Sequence, residues 1–194
     1  MRLLTQEQKE ICEMIASFME KEIKPNLQEW DHENHFPDEV YRKAHELGLN
    51  AFEAPEEFGG LGLDHKSAGA IYEQMGYYDS GLALTSVTTN LAWKPVLFGG
   101  TEEQKKLFWD LVMNGRGYAS FALTEPGGGS DVAATRTKAV REGDEYVING
   151  AKCFITNGGF ADVYLAVAST DPSKGAKGLT AFIVERDRPG ISIG

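Results

Sequence analysis

Phe121-Ala122-Leu123-Thr124-Glu125-Pro126-Gly127-Gly128-Gly129-Ser130-Asp131 changes character halfway along. The apolar run from Tyr118 to Leu123 reads as a strand, and it stops abruptly. Glu125-Pro126 turns the chain, because proline fixes its own φ and has no N–H to continue a ladder. Three glycines follow, and glycine lets backbone approach a ligand closely or take a positive φ. Backbone N–H groups in such a loop make a concave donor surface for something electron-rich or anionic. Further on comes Ile148-Asn149-Gly150-Ala151-Lys152-Cys153-Phe154-Ile155-Thr156-Asn157-Gly158-Gly159. It reads as a hairpin turn, then a second strand end with its own glycine pair.

Outward from these segments the chain has two textures. Before Arg116 apolar residues recur at helical spacing. Thr5-Gln6-Glu7-Gln8 is spaced as a capping box. It opens a helix through Ile11, Met14, Ile15, Phe18, Met19 and Ile23 that closes at Pro25. A second helix runs from Pro37-Asp38 to Gly48. Ala54 to Leu63 is a turn-rich connector. Helices over Ser67–Tyr77 and Leu82–Leu97 follow, and a second capping box at Thr101–Gln104 starts one that ends at Asn114-Gly115. After Gly117 runs become short and β-branched. The predicted strands are Tyr118–Leu123, Thr135–Arg141, Glu145–Ile148, Lys152–Thr156, Asp162–Ser169 and Leu179–Glu185. Glu142-Gly143-Asp144 and Asn149-Gly150 read as hairpin turns, Asp171 to Gly178 as a polar loop, and Ile191 to Gly194 as the start of another strand. The reading is α+β: an all-helical domain over 1–116, then an incomplete antiparallel β-barrel over 117–194.

Bulk properties narrow the function. The 194 residues carry a net charge of −10, from 29 acidic and 19 basic residues. That argues against binding nucleic acid or an anionic membrane surface. A phosphorylated ligand needs only a local donor cluster and stays open. No run spans a bilayer, and no apolar leader follows Met1. Two cysteines, Cys12 and Cys153, make no disulfide framework, so the cytoplasm is the expected compartment. Asp31-His32-Glu33-Asn34-His35 has metal-ligand residue types but no further cluster to complete a site, so no metal is expected. No Gly-Lys-Ser/Thr follows the glycines, and no G-x-G-x-x-G follows a strand.

The two quoted segments together resemble the acyl-CoA dehydrogenase family. The first matches its small-Leu-Thr-Glu-Pro-Gly-small-Gly-Ser-Asp loop, and the second its Asn-Gly-x-Lys-x-(Trp or Phe)-Ile-Thr-Asn-Gly strand. Pro55-Glu56-Glu57-Phe58-Gly59-Gly60-Leu61-Gly62 matches a further family segment and reads as structural. The resemblance covers the whole chain, yet implies only the first half of a family member: the C-terminal helical bundle is absent and the barrel stops short.

What the resemblance implies is chemical. Desaturating an acyl thioester needs a base for the α proton, an acceptor facing the β carbon, and donors that polarise the carbonyl. The family takes the hydride on N5 of FAD, since a protein has no such acceptor of its own. By the same carry-over, Phe121, Leu123, Thr124, Gly129 and Ser130 line the flavin, with Thr124 on its N1/O2 edge. Phe154, Ile155 and Thr156 meet the ring from the second segment, the Thr156 hydroxyl near N5. Ser130 touches the acyl-CoA and Phe121 borders the acyl pocket. The catalytic base is a glutamate beyond Gly194, so no residue here inherits it. Glu125 reads instead as a carboxylate that fixes the loop. The expected partners are acyl-CoA and an electron-transfer flavoprotein, with a homotetramer at full length. Two other readings stay open: an acyl-CoA oxidase or flavin monooxygenase of the same fold, and a non-catalytic fragment or module.

Overall fold

The computed structural model describes residues 4–194. The expected start of the helical domain at Met1, and of any leader there, lies outside the described residues. The chain divides inside one helix into two compact units, one ending at Asn90 and the other running from Leu91 to Gly194.

The first unit is helical. Helix α1 (Gln6–Phe18) opens on the expected capping box: Thr5 Oγ1 accepts from Gln8 N and Gln8 Oε1 accepts from Thr5 N. Its last turn widens into a π-helical turn over Met19–Ile23, which buries Met19 and Ile23 before Pro25 ends it. Helix α2 (Leu27–Glu33) was not expected. It is short and buries no residue, so no apolar period marks it. Its C-cap Asn34 takes the left-handed conformation that asparagine tolerates. Helix α3 (Asp38–Glu46) buries Tyr41 and Ala44. The connector after it contains a 3₁₀ turn over Glu56–Phe58. Gly60 is needed there, since a Cβ would lie 2.2 Å from the Ala54 carbonyl oxygen. Helix α4 (His65–Tyr78) is N-capped by Asp64. Helix α5 (Ser80–Gly99) is held at its start by the Asp79 carboxylate, which accepts from Gly81 N and Leu82 N. The core of this unit gathers Ile15, Met19, Ile23, Phe52, Ile71 and Met75.

The second unit takes the end of α5, helix α6 (Glu102–Asn114) and the sheet. Thr101 and Gln104 close the second expected capping box. Trp93 on α5 meets Trp109 on α6 edge to face at 5.0 Å, and both are buried. The strands are β1 (Ala119–Ala122), β2 (Lys138–Glu142), β3 (Glu145–Asn149), β4 (Val163–Ser169) and β5 (Leu179–Glu185). They form one five-stranded sheet among the described residues. Pairs β2–β3 and β4–β5 are antiparallel, as expected. Strand β1 instead runs parallel to β4, Ala119 opposite Val163, and β2 touches β4 in parallel at Lys138–Ser169. The direction follows from the connection: the chain leaves β1, makes the β2–β3 hairpin, and returns alongside β1.

Five expected features of this half are corrected. Strand β2 starts at Lys138 rather than Thr135, because the N–H groups of Arg136 and Thr137 are taken by the Glu125 carboxylate. Lys152–Thr156 is no strand. Phe154 sits at φ +55° and breaks the extended run, and Cys153 N donates to a loop carbonyl instead of a ladder. Asn149-Gly150 is therefore not a hairpin turn. Gly150 is required for another reason, since a Cβ there would lie 2.2 Å from Thr137 Oγ1. Ile191–Gly194 form no strand, and Pro172–Gly178 coil into a 3₁₀ segment kinked at Gly175.

Candidate flavin-facing site

The site is built where β1 ends. Beyond Ala122 the chain passes Leu123 and Thr124, both half-buried, and reaches Glu125, only 7 % exposed. Glu125 and Gly128 exchange N–H···O bonds of 3.0 and 3.1 Å, so Pro126-Gly127 form a tight reversal. Gly127, Gly129 and Ser130 are exposed, and their N–H groups donate to no acceptor among the described residues. Gly129 stands beside Thr124: a Cβ on it would lie 3.4 Å from Thr124 Cγ2.

Glu125 fixes this loop. Its Oε2 accepts from Arg136 N at 2.6 Å, and its Oε1 accepts from Thr137 N at 3.0 Å and from Lys152 Nζ at 2.7 Å. Burial works against the charged carboxylate, but the Lys152 ammonium and the two backbone donors outweigh it. They hold the Glu125 pKa at about 2. The loop-fixing reading of Glu125 is thus what its contacts show. A carboxylate so engaged is a poor proton acceptor at neutral pH.

The second segment lies against the first. Lys152 Nζ also donates to the Leu123 carbonyl at 2.9 Å, and Cys153 N donates to the Thr124 carbonyl at 2.9 Å. Ser120 Oγ donates to Thr156 O at 2.8 Å, and Asn157 Nδ2 to Ala119 O at 3.0 Å. Residues 152–157 therefore follow β1 and its loop along their length. Leu123, Thr124 and Gly129 are brought to the segment that carries Phe154, Ile155 and Thr156. Phe121 sits half-buried in β1 opposite Leu165. Ser130 is exposed and no hydrogen bond ties it to another described residue.

Phe154 is the outlier. It is 94 % exposed at a φ of +55°, a region costly for a residue with a Cβ. A bulky ring held outward in strained backbone is a candidate contact surface for a flat apolar group. The Thr124 and Thr156 hydroxyls make no hydrogen bond among the described residues, and neither does the Thr124 N–H. Unused donors and an exposed aromatic ring on two segments bonded to each other fit a planar, electron-rich heterocycle such as a flavin.

Sequence reasoning did not single out Lys152. Its signal was a lysine inside an apolar run, between Ala151 and Cys153, with an equally misplaced glutamate at Glu125. Two opposite charges in apolar surroundings are worth testing as a buried pair.

Comparison with known proteins agrees with the fold. The acyl-CoA dehydrogenase N-terminal domain matches residues 5–116, and the acyl-CoA dehydrogenase middle domain matches residues 120–194. This chain belongs to the acyl-CoA dehydrogenase family. It is 39 % identical over 191 residues to the mitochondrial isobutyryl-CoA dehydrogenase of Dictyostelium discoideum, covering 98 % of this chain and 46 % of that protein. Butyryl-CoA dehydrogenase from Megasphaera elsdenii superposes with a TM-score of 0.89 at 36 % identity, over 98 % of this chain and 51 % of the other. A structure described as the electron transferring flavoprotein of Acidaminococcus fermentans matches with a TM-score of 0.91 at 39 % identity, over 98 % and 50 %. An FAD complex of PigA matches with a TM-score of 0.89 at 28 % identity, over 100 % and 51 %. The chain spans about half the length of the curated relatives it matches. Among the described residues no helix is long and apolar enough to cross a membrane.

Proposed function

We propose that this chain forms the loop pair that holds FAD in an acyl-CoA dehydrogenase, an oxidoreductase that desaturates an acyl-CoA thioester between its α and β carbons. The observation that carries the reading is the cross-bonding of Leu123–Thr124 to Lys152–Cys153, with the Phe154 ring exposed and the Thr124 and Thr156 donors unused. When bound, FAD supplies the two-electron acceptor that no side chain provides. The remaining roles belong to this chain. The Thr124 N–H and hydroxyl, with Leu123, would hold the N1/O2 edge of FAD, and fixed donors there would stabilise negative charge. The Thr156 hydroxyl would serve the N5 side. Phe154 and Ile155 would pack on the ring, and Gly129 would let the loop approach it. Ser130 contacts the acyl-CoA and Phe121 borders the acyl pocket. No residue of this chain takes the α proton.

The boundary between the helical and barrel domains is placed at 116/117, where the helical texture ends. An electron-transfer flavoprotein is the proposed electron acceptor, and a homotetramer the proposed assembly. The two free cysteines support a reducing compartment, the cytoplasm.

The test uses the product of the natural gene, mixed anaerobically with saturated acyl-CoA thioesters. The expected result is bleaching of flavin absorbance and a product lighter by two hydrogens. Flavin that stays oxidised with every thioester contradicts the reading. Rapid oxygen consumption by the reduced protein replaces the dehydrogenase with an oxidase of the same fold.

A further inference from the structure

We propose that Lys152 is a positioning residue for the flavin: its ammonium orients and polarises the Leu123–Thr124 peptide, making the Thr124 N–H a fixed and strengthened donor. The inference rests on the flavin reading above. Lys152 Nζ lies 2.9 Å from the Leu123 carbonyl oxygen and 2.7 Å from Glu125 Oε1. The two charged side chains are 13 % and 6 % exposed, so solvent barely screens them.

The geometry follows from peptide planarity. The Leu123 C=O and the Thr124 N–H belong to one trans amide and point to opposite sides of it. Pinning the carbonyl on the ammonium therefore aims the N–H away from Lys152. The next carbonyl, that of Thr124, is held by Cys153 N. Both peptide units flanking Thr124 are thus anchored through their carbonyls by residues 152 and 153. The Thr124 N–H is left with no acceptor among the described residues. A cation on a carbonyl oxygen draws electron density from the amide nitrogen, and hydrogen bonds in a chain strengthen one another. Glu125 in turn keeps the ammonium in place, anchored by Arg136 N and Thr137 N. A lysine that merely paired with Glu125 would stabilise the loop and leave the Thr124 donor unchanged. The bond to Leu123 O is what gives it a second role.

The test compares wild type, Lys152→Met and Lys152→Arg in the product of the natural gene. The first readout needs no flavin: the amide nitrogen resonance of Thr124 in the flavin-free protein. It is expected to move upfield in Lys152→Met and to return toward wild type in Lys152→Arg, which keeps a cation. The second readout is the reduction potential of bound FAD. Lys152→Met is expected to lower the preference for reduced over oxidised flavin about tenfold, about 30 mV for a two-electron couple. A Thr124 resonance and a potential that both stay put in Lys152→Met overturn the proposal, even where stability falls. Should Lys152→Met fail to fold, Lys152→Gln removes the charge while keeping a donor. A shift in the same direction supports the proposal, and an unmoved resonance overturns it. Wild-type protein that holds no FAD removes the flavin reading alone, and the Thr124 resonance still decides the role of Lys152.

Discussion

Replacing Glu125 by glutamine should uncouple the second unit from acid. Glu125 is buried and hydrogen-bonded as a carboxylate, with a pKa of about 2 against an ordinary 4.5. At about 1.4 kcal/mol per pH unit of displacement, its ionised form contributes about 3 kcal/mol to stability. The sign is that of a depressed carboxylate. The folded value lies below the unfolded one, so the contribution is complete above about pH 4.5. It fades as pH falls toward about 2, where both states carry the proton. Removing one partner of a buried ion pair costs about 3–5 kcal/mol by the same physics, because Lys152 is then left uncompensated. Glu125→Gln should therefore lower stability by about 3 kcal/mol at neutral pH, a large share of an ordinary domain's total. The assay is urea denaturation followed by tryptophan fluorescence, with Trp93 and Trp109 as buried reporters, stepped from about pH 7 to about pH 3. The difference between wild type and Glu125→Gln should shrink steadily below about pH 4.5. A difference that stays constant across the range, or no difference at neutral pH, would refute the reasoning.

Phe154→Gly should remove a left-handed strain and raise the stability of the flavin-free protein by about 1 kcal/mol. The same change should weaken flavin retention, and urea midpoints with flavin content per polypeptide check both halves. Thr101→Ala breaks a capping box whose two bonds measure 2.9 and 3.3 Å, and should cost about 1 kcal/mol in urea denaturation.

The helical half was legible because its signals are local. Thr5 and Thr101 announce α1 and α6, and both caps form as their spacing requires. Helix α2 escaped because nothing on it is buried, so its sequence carries no period. In the sheet half five of the six predicted strands form, Lys152–Thr156 does not, and the limits were not legible because side chains set them. Glu125 takes the N–H groups that would have begun β2 earlier, and Lys152 with Cys153 ties a would-be strand to the glycine loop instead. Neither event has a periodicity. The parallel pairing of β1 with β4 is equally invisible locally, since it depends on where the chain returns after the β2–β3 hairpin. The site segments themselves could be read from their glycines and their order. Lys152 was quoted within a motif, yet only its contacts show what it holds.

The most direct measurement is the visible spectrum of the protein purified as the product of its natural gene, followed by identification of whatever small molecule heat releases. The account predicts a yellow protein that gives up FAD, with Phe154→Gly and Lys152→Met holding less of it. A colourless wild-type protein that takes up no added FAD would contradict the claim that these two loops face a flavin.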